Sequence, residues 1–474
     1  MKKVILSVVL LLSLCINCFA LVSCTGAGSL GSDFDVPENG YDGSEITIKF
    51  YHTMGQNLQD VLDRYIVEFN KLYPNIHIDH EQIGSYDDVR DQIKTEITVG
   101  NQPNIAYCYP DHVALYNLAK AVVTLDNLIE SDITVTRADG TTETLGYTQE
   151  QLDDFIKGYY DEGKQFGDDK MYTVPLSKST EVLYYNKTFF DANGLTPPTT
   201  WEEMETLCAR IKELDPKCIP LGYDSESNWF ITMCEQYGTD YTSATGEHFL
   251  FDNEENRNFV AKFREWYQKG YVTTQKISGG YTSELFKAGD GATKSYMSIG
   301  SSAGATHQRP DKVNDAYPFD VGITTIPQVD SSKPKVISQG PSLCIFNKKN
   351  SQEVIASWLF VKFLTTSVEF QAEFSIASGY VPVIKSVSEN AIYKDFMDKA
   401  DGGNNISALS ASVCLAQEAA YYTSPAFNGS STARDQVGLL MQKCFTEAAN
   451  GDVAGMIKKA FEAAVAECKY QSAS

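Results

Sequence analysis

Residues 45–79, EITIKFYHTMGQNLQDVLDRYIVEFNKLYPNIHID, contain the signals of a strand, a helix and a second strand in succession. Apolar and polar residues alternate over Ile46–Phe50, which indicates a half-buried strand. Apolar residues then recur every three or four positions over Leu58–Leu72, and Pro74 ends this amphipathic helix. Ile76–Asp79 predicts the second strand. Because strand and helix alternate, the pattern favours an α/β fold with a parallel sheet.

The same α/β pattern continues along the chain. Thr200 and Glu203 form the capping box of a further helix, which follows Pro197 and Pro198. The other elements predicted from periodicity are helices over 89–97, 256–269, 354–374 and 434–467, and strands over 105–109, 296–299, 319–323 and 343–346.

Length and charge limit the class of protein. The chain has 474 residues, enough for two or three domains of roughly 100–200 residues each. It carries 62 acidic and 39 basic side chains, a formal net charge of −23. A surface this negative repels nucleic acid and anionic lipid, so we expect no nucleic-acid partner.

The N-terminus has the pattern of a lipoprotein signal peptide. Lys2 and Lys3 precede the apolar run Val4–Val22, and Leu21–Cys24 resembles a bacterial lipobox. The pattern predicts removal of residues 1–23 and lipidation of Cys24, and hence an extracytoplasmic protein anchored to the cell membrane. An uncleaved membrane anchor is the alternative. Residues 24–44 are rich in Gly, Ser and acids and are predicted to form a flexible tether.

Eight further cysteines are spread widely along the chain, and none forms a C-x-x-C motif. An exported protein can hold disulfides, but the sequence leaves both their pairing and free buried thiols open. The eight are Cys108, Cys208, Cys218, Cys234, Cys344, Cys414, Cys444 and Cys468.

Catalytic motifs are incomplete. Gly300–Gly304 (GSSAG) fits a nucleophile elbow, but His307 is the only histidine after Ser302 and follows it too closely to complete a triad. His77 and His80 are predicted on opposite faces of a strand, so no metal site is expected. No cofactor is expected either. With 62 acids, paired carboxylates leave a secreted glycoside hydrolase as an alternative.

Eight stretches, in order from residue 50 onward, are similar to one known family. They are FYHTM (50–54), FNKLYPNI (69–76), GNQPNI (100–105), YTVP with LYYNK (172–187), LTPPTTW (195–201), GSS (300–302), WLFVKFL (358–364) and GYVPV (379–383). Together they resemble the extracellular solute-binding proteins of carbohydrate ABC importers, the group of the maltose-binding and glycerol-3-phosphate-binding proteins.

The resemblance implies two α/β lobes with a hinge and a ligand cleft between them. We assign 45–156 and 300–338 to the N-terminal lobe, and 157–299 and 339–474 to the C-terminal lobe. The implied function is non-enzymatic: a monomeric receptor captures a carbohydrate outside the cell and delivers it to the permease subunits of an importer.

Similarity to the glycerol-phosphate-binding proteins also implies a set of cleft residues. Arg434 would bind oxygen atoms of the solute, and Trp229 would stack on it. The chain departs from that group over Tyr109–His112, which reads YPDH where a glutamate follows the tyrosine in that group, so a polyol contact is altered or moved. It departs from the maltose-binding proteins at Ser430–Ser431, which replace paired aromatics. The predicted ligand-binding residues are Tyr86, Asp111, Ser179, Trp229, Ser301, Ser302, Gly340, Tyr380 and Arg434.

The solute itself stays open. Removal of residues 1–23 takes away two lysines and no acid, which brings the net charge from −23 to −25 and favours a neutral sugar. The alternative ligand is sn-glycerol 3-phosphate or a glycerophosphodiester, bound through Arg434. A surface adhesion protein is a third possibility, outside the transport class.

Overall fold

The computed structural model describes residues 32–289, 291–403 and 405–473. The predicted signal peptide, Cys24 and the first part of the tether lie outside these residues. The strands are β1 (Ile46–His52), β2 (Ile76–Gln82), β3 (Ile105–Cys108), β4 (Thr134–Thr136), β5 (Thr142–Thr144), β6 (Val174–Pro175), β7 (Ser179–Asn186), β8 (Leu221–Tyr223), β9 (Val272–Thr274), β10 (Met297–Ser301), β11 (Val321–Thr325), β12 (Val336–Gln339), β13 (Ser342–Ile345) and β14 (Tyr421–Tyr422).

Helices connect and cover these strands. They are α1 (Gln56–Leu72), α2 (Tyr86–Ile97), α3 (Pro110–Tyr116), α4 (Asp126–Ile129), α5 (Gln149–Asp154), α6 (Lys157–Tyr160), α7 (Lys187–Asn193), α8 (Trp201–Leu214), α9 (Glu226–Tyr237), α10 (Glu254–Gln268), α11 (Gln275–Ser278), α12 (Ser283–Phe286), α13 (Ala305–Gln308), α14 (Ser351–Thr366), α15 (Val368–Ser378), α16 (Ala391–Asp398), α17 (Ile406–Ala416), α18 (Ser430–Thr446) and α19 (Val453–Ala473).

A five-stranded sheet, with strand order β2-β1-β3-β13-β6, forms the first lobe. Strands β1, β2 and β3 are parallel, with Ile46 opposite Ile76, and β13 runs antiparallel beside β3. The alternating apolar side chains of β1 pack against the amphipathic face of α1 and against α14 and α15 in one continuous core. The elements predicted from residues 45–79 therefore form as expected.

A second sheet, with strand order β14-β12-β7-β10-β8-β9 and β11 beside β7, forms the second lobe. Its core is separate from that of the first lobe and is rich in aromatic residues supplied by α8, α9, α10 and α18. Thr200 and Glu203 cap α8 with the predicted capping box. The predicted α/β fold with two lobes is thus confirmed.

The chain passes between the lobes at adjacent points. Residues 176–178 connect β6 to β7, residues 340–341 connect β12 to β13, and the Leu176 N–H donates to the Pro341 carbonyl at 3.1 Å. A third passage follows α16 and includes α17, whose Cys414 lies in the first core while Ile406 packs beside β11. We call these three segments the hinge.

The predicted lobe boundaries need correction. Residues 321–339, expected in the N-terminal lobe, supply β11 and β12 of the second sheet, and residues 342–398, expected in the C-terminal lobe, pack on the first sheet. Residues 157–175 also belong to the first lobe, where Tyr159 is in the core. Short apolar strands carry the same pattern in either sheet, so periodicity did not show which sheet each strand joins.

The described part of the predicted tether, residues 32–44, is not a free linker. The Ser32 N–H donates to the Val122 carbonyl at 3.0 Å, and Phe34 is buried in the first core. The Tyr41 ring packs edge-on against Tyr73 with centroids 6.1 Å apart. The few apolar side chains of this polar segment are therefore enough to hold it against the first lobe.

Two long helices predicted from apolar periodicity are interrupted. Ser367 ends α14 and caps α15, and residues 447–452 separate α18 from α19. None of the described helices is both long and apolar enough to cross a bilayer. All eight described cysteines are buried free thiols, which answers the question that spacing left open.

Candidate functional site

A cavity of about 370 Å³ lies between the two lobes, next to the hinge. Its volume is at the lower end of the range of about 300–1,000 Å³ that is typical of small-ligand sites. Both lobes contribute to its wall. The lining residues are Ser85, Tyr86, Asp87, Arg90, Tyr109, Pro110, Asp111, His112, Glu162, Ile231, Tyr241, Ile337, Ser338, Gln339, Thr423, Ser424, Pro425, Ser430, Ser431, Arg434 and Asp435.

The position of the cavity follows from the topology. Ser85 and Tyr86 follow β2, Tyr109 follows β3, Gln339 ends β12 and Thr423 follows β14. In α/β sheets, ligands bind beyond the carboxyl ends of the strands, where the chain turns away and leaves its loop side chains free. Two sheets facing each other at the hinge bring two such edges to one cavity.

Aromatic rings form the wall on the side of the first lobe. Ser85 caps α2 in a capping box with Asp88 and thereby fixes Tyr86 at the start of the helix. The rings of Tyr86 and Tyr109 are 4.8 Å apart between centroids, and the hydroxyls of Tyr86 and Tyr380 are hydrogen-bonded to one another. Burial raises the pKa of each of these tyrosines, so at neutral pH all three carry neutral hydroxyls.

Asp111 lies in the first turn of α3 and faces the second lobe. Its carboxylate accepts a hydrogen bond from the Ser431 hydroxyl at 2.9 Å and one from the His112 N–H at 3.1 Å. Burial alone would raise the pKa of Asp111, but His112, Arg434 and the Ser431 hydroxyl together hold it below its usual value. Asp111 is therefore ionised at neutral pH.

Arg434, on α18, is held from behind by a chain of buried polar groups. Its guanidinium donates to the Asn228 side-chain oxygen, and the Asn228 amide N–H donates to Glu181 at 2.9 Å. Tyr223 donates to the other oxygen of Glu181 at 2.6 Å. Burial raises the pKa of Glu181 to about 7. This chain fixes the orientation of the one guanidinium that the second lobe presents to the cavity.

Three of the predicted site residues, Tyr86, Asp111 and Arg434, line the cavity. Tyr380 is next to it through its bond to Tyr86. Gly340 has φ +96°, and a Cβ there would lie 2.6 Å from the Ser177 carbonyl and 3.1 Å from the Tyr380 ring, so this part of the hinge requires glycine.

None of the three predicted serines lines the cavity: Ser179 begins β7 and Ser301 ends the neighbouring strand β10, and Ser302 begins the short turn that follows. The Ser301 hydroxyl donates to that of Ser179 at 3.3 Å. Ser302 is almost fully buried, and its hydroxyl accepts from the Thr180 N–H at 3.1 Å while its carbonyl accepts from Ser410. Ser302 thus supports the strand edge, and the contacts of the GSSAG motif are those of a packed turn.

Trp229 is not at the cavity, which corrects the predicted stacking role. Its side chain is completely buried in the second core. The ring stacks on Tyr223 with centroids 4.9 Å apart and packs on Phe263 at 4.2 Å. The similarity indicated the right helix, but helical geometry turns Trp229 into the core and its neighbour Asn228 towards Arg434.

Several lining residues were missed by the sequence analysis. Tyr109 and Asp435 flank residues that were chosen, so proximity along the chain was a usable signal. Glu162 had no such signal: it lies in a short turn, Asp161–Lys164, far along the chain from every residue that was chosen. Only the folded chain brings this carboxylate to the hinge.

Another depression, of about 630 Å³, lies on the outer face of α8. It is more open than the inter-lobe cavity, and its polar wall consists mainly of exposed acidic side chains such as Glu202 and Glu213. Among residues 32–289, 291–403 and 405–473, no cluster of three or more His, Cys, Asp or Glu side chains is arranged to hold a metal ion. The inter-lobe cavity is therefore the candidate site.

Comparison with known proteins gives the family that the chain resembles. A family model described as bacterial extracellular solute-binding protein matches residues 64–400. The sn-glycerol-3-phosphate-binding periplasmic protein UgpB of Salmonella typhimurium is 26% identical over 377 residues, covering 76% of this chain and 79% of that protein.

Solved structures show the same fold. UgpB from Mycobacterium tuberculosis, in complex with glycerophosphocholine, has a TM-score of 0.68 at 17% identity, covering 90% of this chain and 99% of that one. The cyclic α-maltosyl-1,6-maltose binding protein from Arthrobacter globiformis has a TM-score of 0.67 at 17% identity, covering 89% and 99%. Proteins of this architecture thus include binders of both phosphodiester and sugar ligands.

Proposed function

The chain belongs to the family of bacterial extracellular solute-binding proteins, and from this premise we propose that it captures a carbohydrate in the inter-lobe cavity and delivers it to an ABC importer. The observation that carries the proposal is the cavity itself. Side chains from both lobes line it, and the hinge lies directly behind it. A solute bound there contacts both lobes at once, so binding favours closure of the lobes around it.

The wall of the cavity suits a sugar. A sugar presents apolar C–H faces and a belt of hydroxyls, which calls for flat aromatic rings together with hydrogen-bonding groups that replace water. Tyr86, Tyr109 and Tyr241 supply rings, while Asp111 and Arg434 supply an acceptor and a donor that face each other across the lobes.

The charges of the cavity favour a neutral ligand. Arg90 forms ion pairs with Asp87 and Asp91, each at 2.8 Å, so its positive charge is largely neutralised within the protein. Burial lowers the pKa of His112, which leaves it neutral at pH 7. The cavity lining contains four carboxylates and two guanidiniums, namely Asp87, Asp111, Glu162 and Asp435 against Arg90 and Arg434.

A second candidate ligand is sn-glycerol 3-phosphate or a glycerophosphodiester. Arg434 supports it, because a guanidinium held in place by Asn228 is a suitable partner for a phosphate oxygen. The identity of 26% with a glycerol-3-phosphate-binding protein also supports it. Binding to a phosphate through Arg434 would weaken with increasing salt.

The remaining parts of the proposal concern the cellular setting. We propose that lipidation of Cys24 anchors a monomeric receptor on the outer face of the cell membrane, beside the permease subunits that receive the solute. The receptor releases the solute chemically unchanged. Mass spectrometry of the N-terminal peptide from membranes tests the anchor, since a diacylglyceryl modification on Cys24 is the expected finding and an unmodified or uncleaved N-terminus counts against it.

A thermal-shift panel tests the binding function. The soluble form beginning at residue 32 is heated with maltose, maltotriose, sn-glycerol 3-phosphate and glycerophosphocholine in parallel. A ligand present at 100 times its Kd stabilises the native protein by about 2.7 kcal/mol. The Arg434→Ala variant should lose this stabilisation, whereas Arg210→Ala, on the outer surface of α8, should keep it. If no sugar, polyol or glycerophosphate shifts the Tm, the proposed function is wrong.

A further inference from the structure

Glu162 is a nearly fully buried carboxylate that contacts the hinge at Lys178 and the strand residues on either side of the second passage. It lies in the turn Asp161–Lys164 of the first lobe with 2% of its surface exposed. Its side chain contacts Lys178 in the first passage, Ser338 and Ser342 at the ends of the second, and Thr423 after the third. Glu162 also lines the cavity.

The two carboxylate oxygens of Glu162 have different environments. Oε1 accepts from Lys178 Nζ at 2.5 Å and from the Ser342 hydroxyl at 3.1 Å, and neither donor lines the cavity. Oε2 accepts from the Ser338 hydroxyl at 3.3 Å and the Thr423 hydroxyl at 3.5 Å, and both of these residues line the cavity. Oε2 is therefore the oxygen on the cavity side. Both of its hydrogen bonds are long, so it can accept a shorter one.

Lys178 is not available to the solute. A lysine ammonium has three protons to donate. Lys178 Nζ donates to Glu162 at 2.5 Å, to the Gly340 carbonyl at 3.1 Å and to the Ser342 hydroxyl at 2.9 Å, and its side chain is fully buried. The ammonium therefore forms an ion pair with the carboxylate on the side away from the cavity, while the oxygen turned to the cavity is an acceptor.

This arrangement distinguishes ligands by their hydrogen-bonding chemistry. An ionised carboxylate only accepts hydrogen bonds. A sugar or polyol hydroxyl can donate to it, whereas the oxygens of a phosphate group only accept and carry the same charge sign. A phosphate placed against Oε2 would meet an unsatisfied and repulsive contact in a buried site, which is costly.

We propose that Glu162 is a specificity-determining residue, which accepts a hydrogen bond from a solute hydroxyl at the floor of the cavity and thereby selects uncharged, hydroxyl-bearing solutes against phosphorylated ones. This inference rests on the proposed binding function and adds the ligand class and the residue that selects it. In this proposal, Arg434 and Glu162 have complementary roles. The arginine donates to solute oxygens from the second lobe, and the Glu162 carboxylate accepts from a solute hydroxyl on the side of the first lobe.

The test compares wild type with Glu162→Gln by calorimetric titration with maltotriose and with sn-glycerol 3-phosphate. Glutamine keeps the shape but replaces one acceptor oxygen with a donor. We expect affinity for maltotriose to fall by about 10- to 100-fold, as for a hydrogen bond to a charged group, and affinity for sn-glycerol 3-phosphate to fall less, because its hydroxyls also lose an acceptor but its phosphate no longer meets a carboxylate charge. Because Glu162→Gln leaves Lys178 unpaired, the double variant Glu162→Gln with Lys178→Met removes both charges and should show the same change of preference.

The control is Glu143→Gln in the first lobe. Glu143 is also a mostly buried carboxylate paired with a lysine, Lys362, at 3.1 Å, but it lies outside the cavity. This variant should lower the Tm without changing the ratio of the two affinities. The ratio therefore separates ligand selection from a structural role.

Each outcome of these titrations either supports the inference or overturns it. A changed ratio in the single and double variants supports the inference. An unchanged ratio, or equal weakening for both probes, shows that Glu162 only stabilises the hinge and overturns it. Wild type that binds only the phosphorylated probe overturns the inference but leaves the proposed binding function standing. Wild type that binds neither these probes nor any of the panel above removes the proposed function, and the inference with it.

Discussion

Replacement of Trp229 tests the assignment of this side chain to the core of the second lobe. In the structure the side chain is completely buried, stacked on Tyr223 at 4.9 Å and packed on Phe263 at 4.2 Å. A tryptophan that stacks on a ligand would be exposed in the empty cleft, and its removal would cost affinity rather than stability. Trp229→Ala and Trp229→Phe therefore distinguish the two roles without any ligand.

The expected magnitude follows from the packing and from one missing hydrogen bond. Truncation of a buried tryptophan to alanine typically costs about 3–5 kcal/mol of unfolding free energy. The Trp229 indole N–H has no hydrogen-bond partner among the described residues, so truncation also removes a buried unpaired donor, whose presence costs about 1–3 kcal/mol. These effects have opposite signs. We therefore expect a loss of about 3 kcal/mol for Trp229→Ala and less than about 2 kcal/mol for Trp229→Phe, which keeps a ring against Tyr223.

The assay is urea unfolding of the soluble form beginning at residue 32, followed by far-UV circular dichroism. The midpoint and slope are compared at fixed protein concentration, since a shifted midpoint with constant slope reports a change in stability. Tyr470→Ala is the control, because Tyr470 is an aromatic residue with 72% of its surface exposed. A midpoint for Trp229→Ala as close to wild type as that of Tyr470→Ala would refute the core assignment.

Three further predictions concern the site, the pH dependence and the thiols. Asn228→Ala should weaken the best ligand of the thermal-shift panel by about tenfold, because Arg434 loses its anchor; the exposed Asn193→Ala should leave calorimetric affinity unchanged, and equal effects would contradict the anchoring role. Burial lowers the pKa of His52 to about 3, so the unfolded state binds the extra proton between pH 6.5 and 3, and stability should fall as pH falls through that window by up to about 1.4 kcal/mol per unit. The unfolding free energy of His52→Asn, measured in urea, should therefore rise less steeply with pH over this window than that of wild type. Glu181 contributes an opposite slope to both proteins, and this contribution cancels when the two are compared. Identical slopes would contradict the prediction. The eight buried cysteines should react slowly with Ellman's reagent in the native protein and all react after unfolding without reductant; fewer than eight reactive thiols would reveal a disulfide.

Much of the fold was predictable because the side of each strand or helix that faces the core is apolar, and its residues recur at the spacing of that element. The strand Ile46–His52 and the helix Gln56–Leu72 appear where alternation and three-to-four spacing placed them. The capping box of Thr200 and Glu203 is also local, since its atoms lie within one helical turn. Such features need no distant partner, so a single sequence is enough to find them.

Two of the correctly predicted site residues lie shortly after the end of a strand, and the third, Arg434, lies on α18. Tyr86 and Asp111 directly follow or nearly follow β2 and β3, and their place at the cavity follows from parallel strand order. Trp229 failed because a shift of one position on a helix turns a side chain by about 100°, from the cavity to the core. Glu162 was missed because its partners, Lys178 and Thr423, are 16 and 261 residues away.

The amino-acid sequence by itself determined the α/β class, the succession of strands and helices, and the resemblance to solute-binding proteins, because each depends on neighbouring residues. Only the tertiary structure decided which sheet receives β12 and β13, where the hinge lies, and that the buried carboxylate of Glu162 meets Lys178, Ser338, Ser342 and Thr423 beside the hinge. The physical reason is that hydrogen bonds between strands and the pairing of buried charges join residues that are distant along the chain, and a pattern of apolar residues does not encode which distant partner each one meets.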